Sequence, residues 1–308
     1  MRFSFTDDQR AFAEGLREML TRECPLSQVR DAWDDGTGHS ARLWTRLDDM
    51  GVLSMLVPEA NGGMGASMVD AILLLQELGR AGAPGPVIEH MVCAPWCSGA
   101  AISTSWLDNE PYVAHAAIAD AILTPVGVLT GFVVEAVDGI DGGRRLARVS
   151  GGSTAAIADL PVDVLRDHLA IGTSAFLIGL GERMIDIAGE YARQREQFGK
   201  PIGAFQAVKH LLANALLKVE FAKAPTYRAA WSLASGSLTA ARDVSMAKVM
   251  ANEAAYAASR AAMQVHGGIG YTWEADLQLL MKKAWALSRA HGDTRTHRRR
   301  VAAAVLSR

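Results

Sequence analysis

Gln264-Val265-His266-Gly267-Gly268-Ile269-Gly270-Tyr271-Thr272-Trp273-Glu274 is the stretch whose reading decides the fold. It follows a long alanine-rich helical run and precedes another, which makes it a junction between two helices. Gly267, Gly268 and Gly270 allow backbone angles that a Cβ forbids, and they let another molecule approach the main chain closely. The N–H groups of such a turn, next to a helix terminus, can cradle a phosphate or carboxylate. A plain turn would use glycine in the same way. The stretch needs a companion to mean more.

That companion is Arg195-Glu196-Gln197-Phe198-Gly199-Lys200-Pro201-Ile202-Gly203-Ala204-Phe205-Gln206. The pattern R-x-x-F-G-x-x-[IL]-x-x-[FH]-Q, a long helix pair and then Q-x-x-G-G-x-G-[YF] resembles the C-terminal signature of the acyl-CoA dehydrogenase family. Those flavoenzymes oxidise the α,β bond of acyl thioesters. The resemblance covers about residues 165–285, and a weaker one covers about residues 1–100. It implies a mainly α chain with an N-terminal helical domain over 1–111 and a shortened middle β segment over 112–163. A C-terminal four-helix bundle over 164–308 completes it. It also implies FAD as cofactor, an acyl-CoA substrate and an electron-transfer acceptor.

In family dimers a flavin lies on one subunit's β-domain while the neighbour's bundle covers its pyrophosphate and adenosine. The residues that match this covering role are Arg195, Phe198, Gln264, Gly267 and Gly268. An arginine suits it because a guanidinium fork can bond two phosphate oxygens. Each has a plainer alternative, Arg195 as a surface ion pair and Phe198 as core. The five in order favour the covering role.

At 308 residues the chain can hold a large core and two or three domains. Its 31 basic residues against 33 acidic ones give no sign of a nucleic-acid or membrane-surface partner. The absence of a signal peptide or long apolar run makes a cytoplasmic protein the expectation. Cys24, Cys93 and Cys97 cannot all pair, and C-A-P-W-C lacks the further ligands of a zinc site. Reduced thiols and no metal follow.

Thr6-Asp7-Asp8-Gln9 forms a capping box before a helix that stops at Pro25, and Leu43, Leu47 and Met50 mark a second helix. Ser67 to Asp70 caps a third that runs through Gly79. Short β-branched runs at 121–124, 126–134 and 145–149 predict a small β segment. The family's T-E-P-x-x-G-S-D-like loop and its Trp- or Phe-containing loop against the isoalloxazine ring are both missing. Helical runs then reach Arg193, start again near Phe205, and extend from about Ser237 to Val265 and from Gly270 to about Ala290.

Removing an α-proton from an acyl thioester needs a carboxylate base. The resemblance places that glutamate at one of two positions, and here His291 and Leu169 occupy them. Asp293 and Asp167 lie two residues away, which turns a helical side chain by about 200°. Asp293 reads as one half of a solvated ion pair with the following arginines, and His291 as a polar surface residue. No catalytic residue is therefore assigned. Short chains of this kind resemble the smaller partner in two-plus-two acyl-CoA dehydrogenases of bacterial steroid degradation, in which a larger subunit holds the flavin and base. A homomeric enzyme with an unconventional base and a flavin-free scaffold remain as alternatives.

Overall fold

The computed structural model of the protein describes residues 4–108 and 110–306. It is mainly helical. Helix α1 (Asp7–Glu23) starts at the capping box, where Thr6 Oγ1 accepts from Gln9 N–H and the Gln9 side chain accepts from Thr6 N–H. Helices α2 (Leu26–Asp34) and α3 (Ala41–Asp49) follow, and α4 (Met68–Ala81) opens on the Ser67–Asp70 box. Helix α5 (Val87–Cys93) is buried along its whole length, including Glu89 and His90.

Seven short strands come next, β1 (Ser103–Ser105), β2 (Val113–Ala114), β3 (Ala121–Thr124), β4 (Gly127–Thr130), β5 (Val133–Val137), β6 (Leu146–Ser150) and β7 (Ser153–Ala156). They form two sheets, ordered β1-β3-β4-β7 and β2-β6-β5. Strand formation thus starts at Ser103, ahead of residue 112. The Ser-Thr-Ser sequence of β1 carries no β-branched apolar pattern, and its parallel pairing with β3 makes it a strand. A small core of Val113, Ala116, Ile122, Leu129 and Ala147 lies in this region.

Helix α6 (Val162–Gln194) is the central beam. Every residue from Leu169 to Gly181 is buried, because other elements pack around its full circumference. A two-strand hairpin of β8 (Glu196–Gln197) and β9 (Lys200–Pro201) leads into α7 (Gln206–Ala234), then α8 (Ala240–His266), α9 (Leu277–Leu287) and α10 (Thr294–Leu306). The N-terminal helices and the bundle share one core. Glycine allows this closeness at two crossings of α4 and α6. A Cβ on Gly79 would lie 2.1 Å from the Phe176 carbonyl oxygen, and one on Gly179 would lie 1.9 Å from that of Gln76.

All three cysteines are buried and unpaired. Among the described residues no helix is long and apolar enough to cross a membrane, and no group of three His, Cys, Asp or Glu side chains is arranged to hold a metal.

Candidate functional site

Tyr191, in the last turn of α6, stacks on His266 at the end of α8, with ring centroids 4.4 Å apart and planes 16° from parallel. This contact brings the arginine segment and the glycine turn to the same end of the bundle. Arg195 leaves α6 in extended conformation. Its N–H donates to the Tyr191 carbonyl at 2.8 Å, and its own carbonyl accepts from Ile202 N–H at 2.8 Å. The backbone is pinned while the guanidinium is exposed, and among the described residues no carboxylate pairs with it.

Phe198 and Gly199 form the two-residue loop of the β8–β9 hairpin, with φ of 54° and 76°. Two successive positive φ angles fit a type I′ turn, whose first position favours Asn, Asp or Gly. Phenylalanine there costs about 1–2 kcal/mol. It gains no burial in return, since Phe198 is 92 % exposed and touches Phe205 only edge-on, with centroids 6.0 Å apart. The core reading of Phe198 is therefore wrong. A strained, outward-facing aromatic points to contact with something outside this chain.

The glycines divide their work. A Cβ on Gly270 would meet His266 Cβ at 3.1 Å and the Met263 carbonyl oxygen at 3.3 Å, so this residue anchors the turn inward. A Cβ on Gly267 or Gly268 would meet nothing within 4 Å, and both residues face solvent beside the exposed Gln264. Gly267 N–H already donates to the Met263 carbonyl, so the turn offers close approach rather than that donor. An exposed guanidinium, an open glycine backbone and a projecting ring suit a phosphate-bearing molecule with a flat edge.

The position of the expected base is different. His291 is not on the surface. Its side chain is 8 % exposed, and its Nε2 lies 3.6 Å from Oε1 of the buried Glu89 on α5. Arg144, in the turn between β5 and β6, places Nη2 at 3.6 Å from the same oxygen. Burial pushes the Glu89 carboxyl up. His291 and Arg144 overcome that push and hold it far below the usual carboxylate range. His115 is also buried, at φ 59°, and burial lowers it to about 3. Nearby, Lys283 donates to the Ala83 carbonyl at 2.9 Å, and Asp141 accepts from Gly143 N–H at 2.8 Å. The expectation of a solvated His291 failed because its partner, Glu89, belongs to a distant part of the chain.

The loop that carries His291 is clamped from behind. The fully buried Lys248 donates to the Leu287 carbonyl at 3.1 Å and to Asn252 Oδ1 at 2.9 Å. Asn252 donates in turn to the Ser288 carbonyl and to Thr294 Oγ1, and His297 Nε2 lies 2.9 Å from the His291 carbonyl oxygen. Asp293 is no solvated ion pair. Its Oδ1 accepts from Thr296 N–H at 2.7 Å, which caps α10. Asp167 lines the same cleft as His291, of about 590 Å³, but Arg300 Nη2 holds it at 2.7 Å. Arg166 likewise pairs with Asp108 and Asp163 in that cleft, at 3.0 Å each. Leu169 is fully buried. Three of the four carboxylates that line this cleft, Asp108, Asp163 and Asp167, are engaged by arginines, and the fourth is Glu110.

Glu89 and Arg144 were missed in the sequence. A single glutamate inside the apolar run Val87-Ile88-Glu89-His90-Met91-Val92 was the available signal, since a buried charge requires a partner.

Comparison with known proteins agrees with this architecture. The acyl-CoA dehydrogenase C-terminal domain model matches residues 167–306, and the N-terminal domain model matches residues 6–100. The acyl-CoA dehydrogenase IpdE2 of Mycolicibacterium smegmatis is 32 % identical over 97 % of this chain and 99 % of its own length. Two solved structures share the fold. The ChsE4-ChsE5 complex from Mycobacterium tuberculosis matches with a TM-score of 0.86 at 24 % identity over all of both chains. A variant of the Tcur3481-Tcur3483 steroid enzyme matches with a TM-score of 0.88 at 19 % identity over 98 % of each. The chain belongs to the acyl-CoA dehydrogenase family.

Proposed function

We propose that this chain is a subunit of an FAD-dependent acyl-CoA dehydrogenase that works with a larger partner. It supplies the covering half of a flavin site, while the partner carries the ring platform and the base. The observation that carries this reading is the contrast within one chain. Arg195, Phe198 and the Gly267–Gly268 face are built outward and unpaired, whereas the base position is filled by the His291–Glu89–Arg144 contact. In this reading Arg195 binds the pyrophosphate, Gly267 and Gly268 let it come close, Gln264 adds polar contact and Phe198 flanks the adenosine. The flavin supplies the hydride acceptor. The chain's own residues bind, orient and shield it.

The hetero-oligomeric part draws support from the two-component solved relatives, and steroid-CoA as substrate class from the steroid enzyme among them. Leu217 and Phe221 on α7 are 55 % and 63 % exposed, an apolar stripe suited to burial against a partner. The homomeric alternative loses ground because Asp293 caps a helix and Asp167 is paired with Arg300. A cytoplasmic location and an electron-transfer acceptor complete the proposal.

The test is the flavin spectrum of the purified chain, alone and with its partner, together with an electron-acceptor assay. The expected result is substoichiometric flavin and no acyl-CoA dehydrogenation alone, with both gained on assembly. One flavin per isolated chain with turnover would overturn the half-site reading.

A further inference from the structure

Resting on the half-site reading, we infer that helix α2 is a strut for the glycine turn, and that Arg30 and Trp33 are positioning residues for the cofactor edge it covers. The turn is followed by a chain of tight bends rather than free linker. Thr272 N–H donates to the Ile269 carbonyl, Ala275 N–H to that of Thr272, and Gln278 N–H to that of Ala275, where α9 begins. Fixing Trp273 and Asp276 therefore fixes the residues before them.

Helix α2 grips both. Arg30 directs Nε at 3.0 Å and Nη2 at 2.5 Å onto the same Oδ1 of Asp276. The Trp33 ring meets Trp273 edge-on, with centroids 6.4 Å apart. Lys282 sits in the corner that the two indoles make, its Nζ 3.8 Å from the Trp273 centroid and 5.3 Å from that of Trp33. An ammonium in such a corner draws both rings to one charge. The same Nζ donates to Gln278 Oε1 at 2.9 Å, which settles it against α9.

Trp33 has no room to retreat. A Cβ on Gly142 would sit 2.2 Å from its Nε1, so the indole is wedged against the β5–β6 turn. Arg145 Nη2 donates to the Trp33 carbonyl at 2.6 Å and fixes the end of α2. Force on the glycine turn thus passes through Trp273 and Trp33 into the middle β segment. The opposite side of the turn is held by the Tyr191–His266 stack. A half-exposed ion pair and an exposed cation–π contact add little to global stability. Their effect falls on a short turn with few anchors of its own, where local opening is governed by such contacts.

The experiment uses Arg30→Ala, Trp33→Leu and the charge swap R30D/D276R, with Arg195→Ala in parallel. Two quantities are read: amide hydrogen exchange of residues 267–276 in this chain, and flavin dissociation from the assembled complex. Arg30→Ala and Trp33→Leu should each speed exchange in the turn by about tenfold and speed flavin loss several-fold, with the thermal midpoint nearly unchanged in Arg30→Ala and lowered in Trp33→Leu, which also loses packing. The swap should restore most of both. If Trp33→Leu fails to fold, Arg30→Ala and the swap decide. Unchanged exchange in folded Arg30→Ala overturns the strut, whatever the flavin does. Faster exchange with parental flavin retention overturns the positioning role when Arg195→Ala does weaken flavin. If Arg195→Ala also leaves flavin untouched, the half-site reading has failed and the positioning role fails with it.

Discussion

Arg195 lies at the end of the bundle where His266 closes α8, Arg144 faces the cluster of His291 in the loop before α10, and the chain uses the two arginines in opposite ways. Arg195 projects from a pinned backbone into solvent, among open glycines and an exposed phenylalanine. Arg144 is directed inward at Glu89, which also faces His291, and the three join α5, the β5–β6 turn and the loop before α10. One region is left unsatisfied and costs stability at Phe198. The other is closed by inward charge contacts of 3.6 Å, too long for hydrogen bonds, which leave Glu89 Oε1 and His291 Nε2 buried without a hydrogen-bond partner. In the proposed half-site reading, the surface that meets a molecule outside the chain keeps its charge unpaired, whereas the position expected for a base is taken up by contacts within the chain.

The largest effect should come from breaking the inward region. Glu89→Ala leaves Arg144 and Lys283 buried with less opposing charge, and breaking a buried pair costs about 3–5 kcal/mol. Urea or thermal unfolding would show it, and a loss below about 1 kcal/mol would mean the cluster is solvated. The acid limb follows the same pair. Because the folded carboxyl lies below its ordinary value of 4.5, its contribution is present above that pH and lost as pH falls through and below it. Burial of neutral His115 at about 3 acts in the same direction below its ordinary value of 6.5. His291→Glu should also destabilise, since it sets two buried carboxylates together, and it should not create a dehydrogenase. Combining it with Glu89→Gln should recover part of the loss.

The outward region should respond in binding and not in folding. Arg195→Ala removes a charge-assisted contact of about 1.5–3 kcal/mol, so flavin affinity of the assembled complex should fall about ten- to a hundredfold. Helical content should stay the same, because the side chain is exposed and unpaired. Arg195→Lys should restore only part, an ammonium lacking the parallel donors of a guanidinium. Flavin titration of the apo complex decides it, and parental affinity with an intact fold would reduce Arg195 to a surface charge.

A third test sharpens the inward side through its clamp. Burial lowers the Lys248 ammonium to about 7, with Arg144 adding to the effect and Asp293 opposing it. Between about pH 7 and its ordinary 10.5 the unfolded chain holds a proton that the folded chain has released. This contribution makes stability rise with pH from about 7, and above the ordinary thiol value of 9.0 the buried Cys24, Cys93 and Cys97, raised by burial, oppose it. Lys283 is lowered too, chiefly by burial, and acts with the same sign. Lys248→Met should flatten the slope without abolishing it. A slope unchanged by this substitution would show that Lys248 stays charged in the fold.

Much of this was legible in the sequence, where the signal was local. The boxes Thr6–Gln9 and Ser67–Asp70 announced α1 and α4, and the two motif stretches fixed the bundle and its exposed end. Three of the described helices carry no such local signal. The short helix α2 holds only Val29 and Ala32 fully buried, α5 is buried throughout and shows no amphipathic period, and α10 was hidden in the basic run Arg298-Arg299-Arg300. The Glu89–His291 contact had no local trace at all. Sequence spacing reports what one helix turn or one hairpin can bring together, whereas this pair is created by packing between domains.

The smallest expected effect concerns Asp293, and it separates structure from chemistry at the point where the two readings were nearest. As the cap of α10, its carboxylate accepts from Thr296 N–H, and this bond holds the carboxyl below its ordinary value. Loss of such a cap costs about 1 kcal/mol, within a range of roughly 0.5–2. Asp293→Ala should therefore lower the thermal midpoint by a few degrees, about what that energy gives in a chain of this size. Asp293→Asn keeps the accepting oxygen and should fall much closer to the parent. Both should leave turnover of the assembled complex nearly unchanged, since the cap acts on a helix end and Arg300 and His297 hold the rest of α10. The asparagine variant is the informative one. It preserves the cap and removes the base, so a large loss of turnover with flavin bound and the midpoint intact would make Asp293 catalytic and reopen the homomeric reading.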